Sequence, residues 1–110
     1  MQKQTGVAEV NGTRLCYETS GQGHPLVLIH GMASDCRTWE DQFEPFAEHY
    51  RVLCYEWRGM GRSAVPTGEP YRHADDLQAL LESFGITRAH ILGLSAGATR
   101  ALDLRSPSRI

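Results

Sequence analysis

A chain of 110 residues with 41% hydrophobic and 22% charged residues has the make-up of one ordinary globular domain, able to bury roughly 65% of its unfolded surface. A net charge of −2 without any cluster of Lys and Arg leaves no basic stripe for a phosphate backbone, so nucleic acid is not expected as a partner. No apolar run approaches the roughly 20 residues that span a bilayer, and Met1–Gly6 carries a single Lys with no apolar stretch behind it. No membrane association is expected, and the cytoplasm is the expected compartment. Cys16, Cys36 and Cys54 are odd in number and lack Cys-x-x-Cys spacing, which predicts free thiols rather than a disulfide framework or a zinc site.

Short apolar runs alternate with longer amphipathic ones, a pattern that predicts an α/β sheet. Val7–Val10 and Arg14–Glu18 flank Asn11-Gly12, the dipeptide suited to a two-residue type I′ turn, and so read as an antiparallel hairpin. Pro25–His30 is almost continuously apolar, as a strand covered on both faces should be. Thr38–His49 carries Trp39, Phe43, Phe46 and Ala47 at helical spacing, with Pro45 predicting a kink or break. These aromatic residues read as core rather than as a ligand cage.

Arg51–Trp57 is the next predicted strand, followed by a loop through Gly59, Gly61, Pro66, Gly68 and Pro70. His73–Phe84 repeats Ala74, Leu77, Leu80, Leu81 and Phe84 on one face, has Asp75 and Asp76 in its first turn, and stops at Gly85. His90–Leu94 then reads as a strand, and Ala96 to about Leu104 as a helix closed by Pro107. Asp75 and Asp76, like Glu40, Asp41 and Glu44, read as acids on solvated helix faces rather than as paired catalytic carboxylates.

The chemistry concentrates at Gly93-Leu94-Ser95-Ala96-Gly97. A nucleophilic hydroxyl must project from a sharp strand-to-helix turn, which demands small residues two before and two after it, and Gly93 and Gly97 supply them. A Gly-x-Ser-x-Gly string arises by chance in such a length only about 4% of the time at average composition. The Ala96 amide, at the start of the next helix, is the first expected donor to an oxyanion, and the Met32 amide in the loop opened by His30-Gly31 is the second. His30 itself is expected to hold that loop by hydrogen bonds rather than to act as a base. Cys36, in the same loop, reads as an ordinary thiol that could line the mouth of a pocket.

The order of His30-Gly31, Glu56-Trp57-Arg58-Gly59-Met60-Gly61-Arg62-Ser63, Tyr71 to Leu81 and Gly93 to Gly97 resembles the amino-terminal portion of the α/β-hydrolase superfamily over nearly the whole chain. Ser34-Asp35-Cys36-Arg37-Thr38-Trp39 with Gln42, and Ala74-Asp75-Asp76-Leu77 before Leu80-Leu81, are most similar to its esterase and enol-lactonase-like branch. The resemblance implies a truncated α/β-hydrolase fold over residues 1–110. It also implies a serine hydrolase acting on an ester, lactone or similar acyl bond of a small molecule, with no cofactor and no metal. Glu56 stands where members usually have Asp, and Ala98 where they have a second Gly.

In that family the acid and the histidine of the triad follow the serine. Here His24, His30, His49, His73 and His90 all precede Ser95. His90 starts the strand that leads to Ser95, so roughly 16 Å of extended chain separates the two and His90 cannot be the base. The resemblance further implies a sheet order of hairpin, Arg51–Trp57, Leu26–His30 and His90–Leu94, with the last strand a bare edge open to self-association or complementation. The alternative kept beside the hydrolase is a non-catalytic module that pairs through that edge. Gly59-Met60-Gly61-Arg62-Ser63-Ala64 also fits a dinucleotide fingerprint, but the turn-rich Val65-Pro66-Thr67-Gly68 stands where a helix should open, and that reading is set aside.

Overall fold

The computed structural model describes residues 3–31, 35–66, 68 and 70–93. Its elements in chain order are β1 (Gln4–Val10), β2 (Thr13–Ser20), β3 (Pro25–Ile29), a 3₁₀ turn (Cys36–Trp39), α1 (Glu40–Ala47), β4 (Arg51–Tyr55), α2 (His73–Ser83) and β5 (His90–Gly93). The hairpin forms as expected, with longer strands. Asn11 and Gly12 both take positive φ, 50° and 73°, as a type I′ turn requires.

One five-stranded sheet runs β1-β2-β4-β3-β5, the order expected from the sequence. β3 pairs in parallel with β4 on one side and β5 on the other, while β2 meets β4 antiparallel. The alternation along β3 and β4 divides the core. Val27, Ile29, Leu53 and Tyr55 face Leu77, Leu80 and Leu81 of α2, and Leu26, Leu28, Val52 and Cys54 face Phe43 and Ala47 of α1. Both faces of the central strands are therefore covered, which explains why their sequences read as continuous apolar runs.

Helix ends follow local chemistry. Gly85, at φ 69°, closes α2: its amide bonds the Glu82 carbonyl at 3.0 Å while the Ile86 amide reaches back to Leu81 at 2.9 Å, and the side chains of Ile86 and Leu81 share one core. The predicted Thr38–His49 helix is two pieces. Asp35 caps the 3₁₀ turn by accepting the Arg37 amide, and α1 then runs through Pro45 before ending two residues later at Ala47. Pro45 lies late in this eight-residue helix and removes one intrahelical bond, the one an N–H there would give to the Asp41 carbonyl, so the helix runs through it rather than breaking there. Trp39 and Phe43 are buried and Phe46 packs against them, as a core reading requires. No helix among the described residues is long and apolar enough to cross a membrane.

Three expectations need correction. Cys36 does not line a pocket mouth, because it is buried with Cys54 beneath α1, and the hydrogen bond with the Cys54 thiol, together with burial, pushes its own thiol far up. All three cysteines are free and buried. Asp76 is not on a solvated face: it is fully buried and paired with Arg58. The strand predicted to reach Trp57 ends at Tyr55: the Glu56 amide still bonds the Cys16 carbonyl of β2 at 2.9 Å, but the Trp57 amide turns to the His30 ring.

Candidate active site

From β3 the chain passes through α1 to β4 on one side, and then through α2 to β5 on the other, with the two helices on opposite faces. The segments that follow the neighbouring strands β3 and β4 therefore leave toward opposite faces, and such a switch point opens a crevice at the carboxyl edge of a parallel sheet. In the β3–β5 register Ile29 lies opposite Gly93. The His30-Gly31 segment and the segment entering Leu94-Ser95 thus start side by side.

His30 is completely buried, and its ring stacks on Trp57 with centroids 5.0 Å apart and planes 23° apart. Its Nδ1 lies 2.6 Å from the Gly31 carbonyl and 2.9 Å from Trp57 Nε1, while Nε2 lies 3.3 Å from the Trp57 amide. One tautomer satisfies this set. A proton on Nδ1 is donated to the Gly31 carbonyl, Nε2 accepts from the Trp57 amide, and the indole N–H turns to the His30 carbonyl at 3.2 Å. Both ring nitrogens are thereby committed to the loop and to Trp57, the holding role expected from the sequence. Burial lowers the pKa of His30, because the protonated ring would be cut off from water there.

A buried neutral imidazole with a lowered pKa binds its proton more readily when unfolded, so stability is full above about pH 6.5 and falls as pH drops toward the folded-state value. Urea unfolding midpoints should decline between neutral pH and about pH 5.5 in the native chain. A flat midpoint across that window would mean that His30 is not held neutral.

Glu56, also buried, ties the same loop to the chain beyond β4. Its Oε2 accepts the Cys36 amide at 3.0 Å and Arg62 Nη2 at 3.1 Å, and its Oε1 accepts the Arg62 amide at 2.8 Å and Arg62 Nε at 3.0 Å. Burial alone would push this carboxyl up, but the bonds from Arg62 and Cys36 outweigh it and hold it below the ordinary carboxylate value. Ser63 completes the turn by accepting the Cys16 amide at 2.8 Å and donating to the Glu56 carbonyl. Next to it Trp57 meets His73 edge-on at 5.0 Å, His73 meets Tyr71 at 5.2 Å, and the Arg58 guanidinium lies 4.1 Å over the Tyr71 ring.

Of the residues singled out in the sequence, His30, Gly31 and Gly93 are placed at the crevice. Met32, Ser95, Ala96 and Gly97 lie outside the described residues. Buried Glu56 and Ser63 and exposed Arg62 do not read as a unit in the sequence. Their signal is the acid at the end of an apolar strand followed within seven positions by Arg and Ser, a polar cluster that a burying turn must satisfy internally.

Fold and crevice together define an α/β hydrolase, and residues 24–104 match the family described as the alpha/beta hydrolase fold, to which the chain belongs. Over 107 residues it is 36% identical to RutD of Caulobacter segnis, which bears the name of a carbamate hydrolase, covering 87% of this chain and 40% of that protein. It is 35% identical over 88 residues to 3-oxoadipate enol-lactonase 2 of Acinetobacter baylyi, covering 76% of this chain and 33% of the relative. Epoxide hydrolase VrEH1 from Vigna radiata superposes with a TM-score of 0.87 at 23% identity, over 93% of this chain and 35% of that structure, which speaks for the fold alone. The chain thus spans about a third to two-fifths of the length of these proteins.

Proposed function

We propose that residues 1–110 are the nucleophile-bearing, amino-terminal part of a serine hydrolase that cleaves an ester, lactone or similar acyl bond of a small molecule. The observation that carries this reading is the Ile29–Gly93 register pair, which starts the His30-Gly31 loop and the Ser95 turn from adjacent strand ends. Ser95 Oγ attacks the carbonyl carbon, and the oxygen that gains charge is received by the Met32 and Ala96 amides. The tetrahedral species collapses by expelling the alcohol, and water then releases the acid from the acyl-serine.

Serine favours acyl bonds over epoxides for a chemical reason. Opening an epoxide with a serine hydroxyl would leave an ether, which water does not cleave, whereas an acyl-serine hydrolyses and returns the enzyme. The proton moves through a histidine and acid outside residues 1–110, since both nitrogens of His30 are engaged and the remaining four histidines also precede the serine.

Treatment with a fluorophosphonate is expected to modify Ser95, identified by peptide mass spectrometry, and Ser95→Ala is expected to abolish the label. A label carried by any other residue would overturn the assignment. The second reading, a non-catalytic module that pairs through its sheet edge, is favoured by Leu92, 42% exposed on β5, which pairs with β3 alone among the described residues. Stoichiometric self-association without any label would support that reading instead.

A further inference from the structure

At the opposite, amino-terminal edge of the sheet the geometry points to a two-histidine site for a borderline divalent cation such as Zn²⁺, Ni²⁺ or Cu²⁺, formed by His24 and His90. Far apart in sequence, these residues are brought together by parallel pairing. His90 opens β5 opposite Leu26, and His24 lies two residues before Leu26, just ahead of β3. Their rings are 4.6 Å apart by centroid, with planes tilted by 58°.

That separation is what shared coordination needs. Two imidazole nitrogens held about 2.0–2.1 Å from one metal, at angles between cis-octahedral and tetrahedral, place the ring centroids roughly 4.5–5.2 Å apart. Both side chains are exposed, and neither makes a hydrogen bond among the described residues, so their nitrogens are open to a metal. The supports are fixed: the His24 carbonyl accepts the Arg51 amide at 3.1 Å, and the Tyr50 ring stands edge-on to His90 at 6.1 Å. No cluster of three or more candidate ligands occurs among the described residues, so water fills the remaining positions. Neutral imidazole suits Zn²⁺, Ni²⁺ and Cu²⁺, whereas Mg²⁺ and Ca²⁺ demand oxygen ligands. A bound cation would clasp the four-residue β5 to β3 at its first residue.

Zn²⁺ titrated calorimetrically into the native chain at about pH 7.5 should fill one site. Mg²⁺ should give no heat. His24→Gln and His90→Gln should each weaken Zn²⁺ binding by about 10–100-fold or more, at least the penalty for losing an outer-shell partner. With Cu²⁺ added to the native chain, the amide resonances of His24, Leu26, His90 and Ile91 should broaden first. Absence of Zn²⁺ binding, undiminished binding in the double variant, or broadening centred on His49 or His73 would each overturn the site. The broadening test needs no variant, so a substitution that fails to fold does not remove it.

Discussion

Asp76→Ala is expected to lower the unfolding free energy by about 3–5 kcal/mol, the cost of stranding one member of a buried ion pair. Arg58 Nε and Nη2 reach the two carboxylate oxygens at 3.0 and 2.9 Å, Asn11 Nδ2 adds a third bond at 2.8 Å, and Arg58 Nη2 also holds the Asn11 carbonyl at 3.2 Å. The pair therefore fastens the first hairpin turn to α2 and to the segment after β4. With 7% of its side chain exposed, Arg58 has no route to water once the carboxylate is gone. Glu56→Ala provides the control. Its partner Arg62 is 49% exposed and can turn to solvent and to Glu18, leaving chiefly the Cys36 amide unsatisfied, at about 1–3 kcal/mol. Urea denaturation of both variants checks the order, and equal losses would show that Arg58 rehydrates. Since domains of this size are stable by only about 5–15 kcal/mol, the Asp76 variant should be visibly fragile.

Asp76 also shows where sequence reading stopped. Two acids in the first turn of a helix fit the macrodipole, and that explanation sufficed for Asp75 and Asp76 alike. Yet Asp76 stands four residues before Leu80 and next to Leu77, inside the apolar stripe, so its side chain had to enter the core. Periodicity reports which face is buried, while the partner that makes a buried charge tolerable sits in an irregular loop, at Arg58, where no period exists.

The strands, their order and the hairpin turn were legible because alternation, Asn-Gly and continuous apolar runs are local signals. His30 reads from the sequence as a loop holder, and both of its ring nitrogens are engaged, one with the Gly31 carbonyl and one with the Trp57 amide. The Glu56–Arg62–Ser63 cluster was not legible, since hydrogen bonding within a turn leaves no periodic trace. Its role at the site depends on reaching the Cys36 amide, twenty residues earlier in the chain.

Gly21→Ala is expected to destabilise the fold by about 2–6 kcal/mol, combining backbone strain with overpacking. At φ 87° Gly21 occupies the left-handed region, and an added Cβ would lie 2.2 Å from the Tyr50 carbonyl oxygen and 2.5 Å from that of Ala47. Both obstacles are backbone, so no rotamer change relieves them. Either the turn between β2 and β3 or the end of α1 must move, and with it the start of β4. Gly12→Ala separates the two causes. Gly12 has a similar φ of 73° but nothing within 4 Å of the added carbon, so its substitution should cost only about 1–2 kcal/mol of left-handed strain. The excess of the Gly21 variant over the Gly12 variant in urea denaturation measures the close approach itself. If the two lose the same stability, α1 does not press on the β2–β3 turn as closely as these distances require.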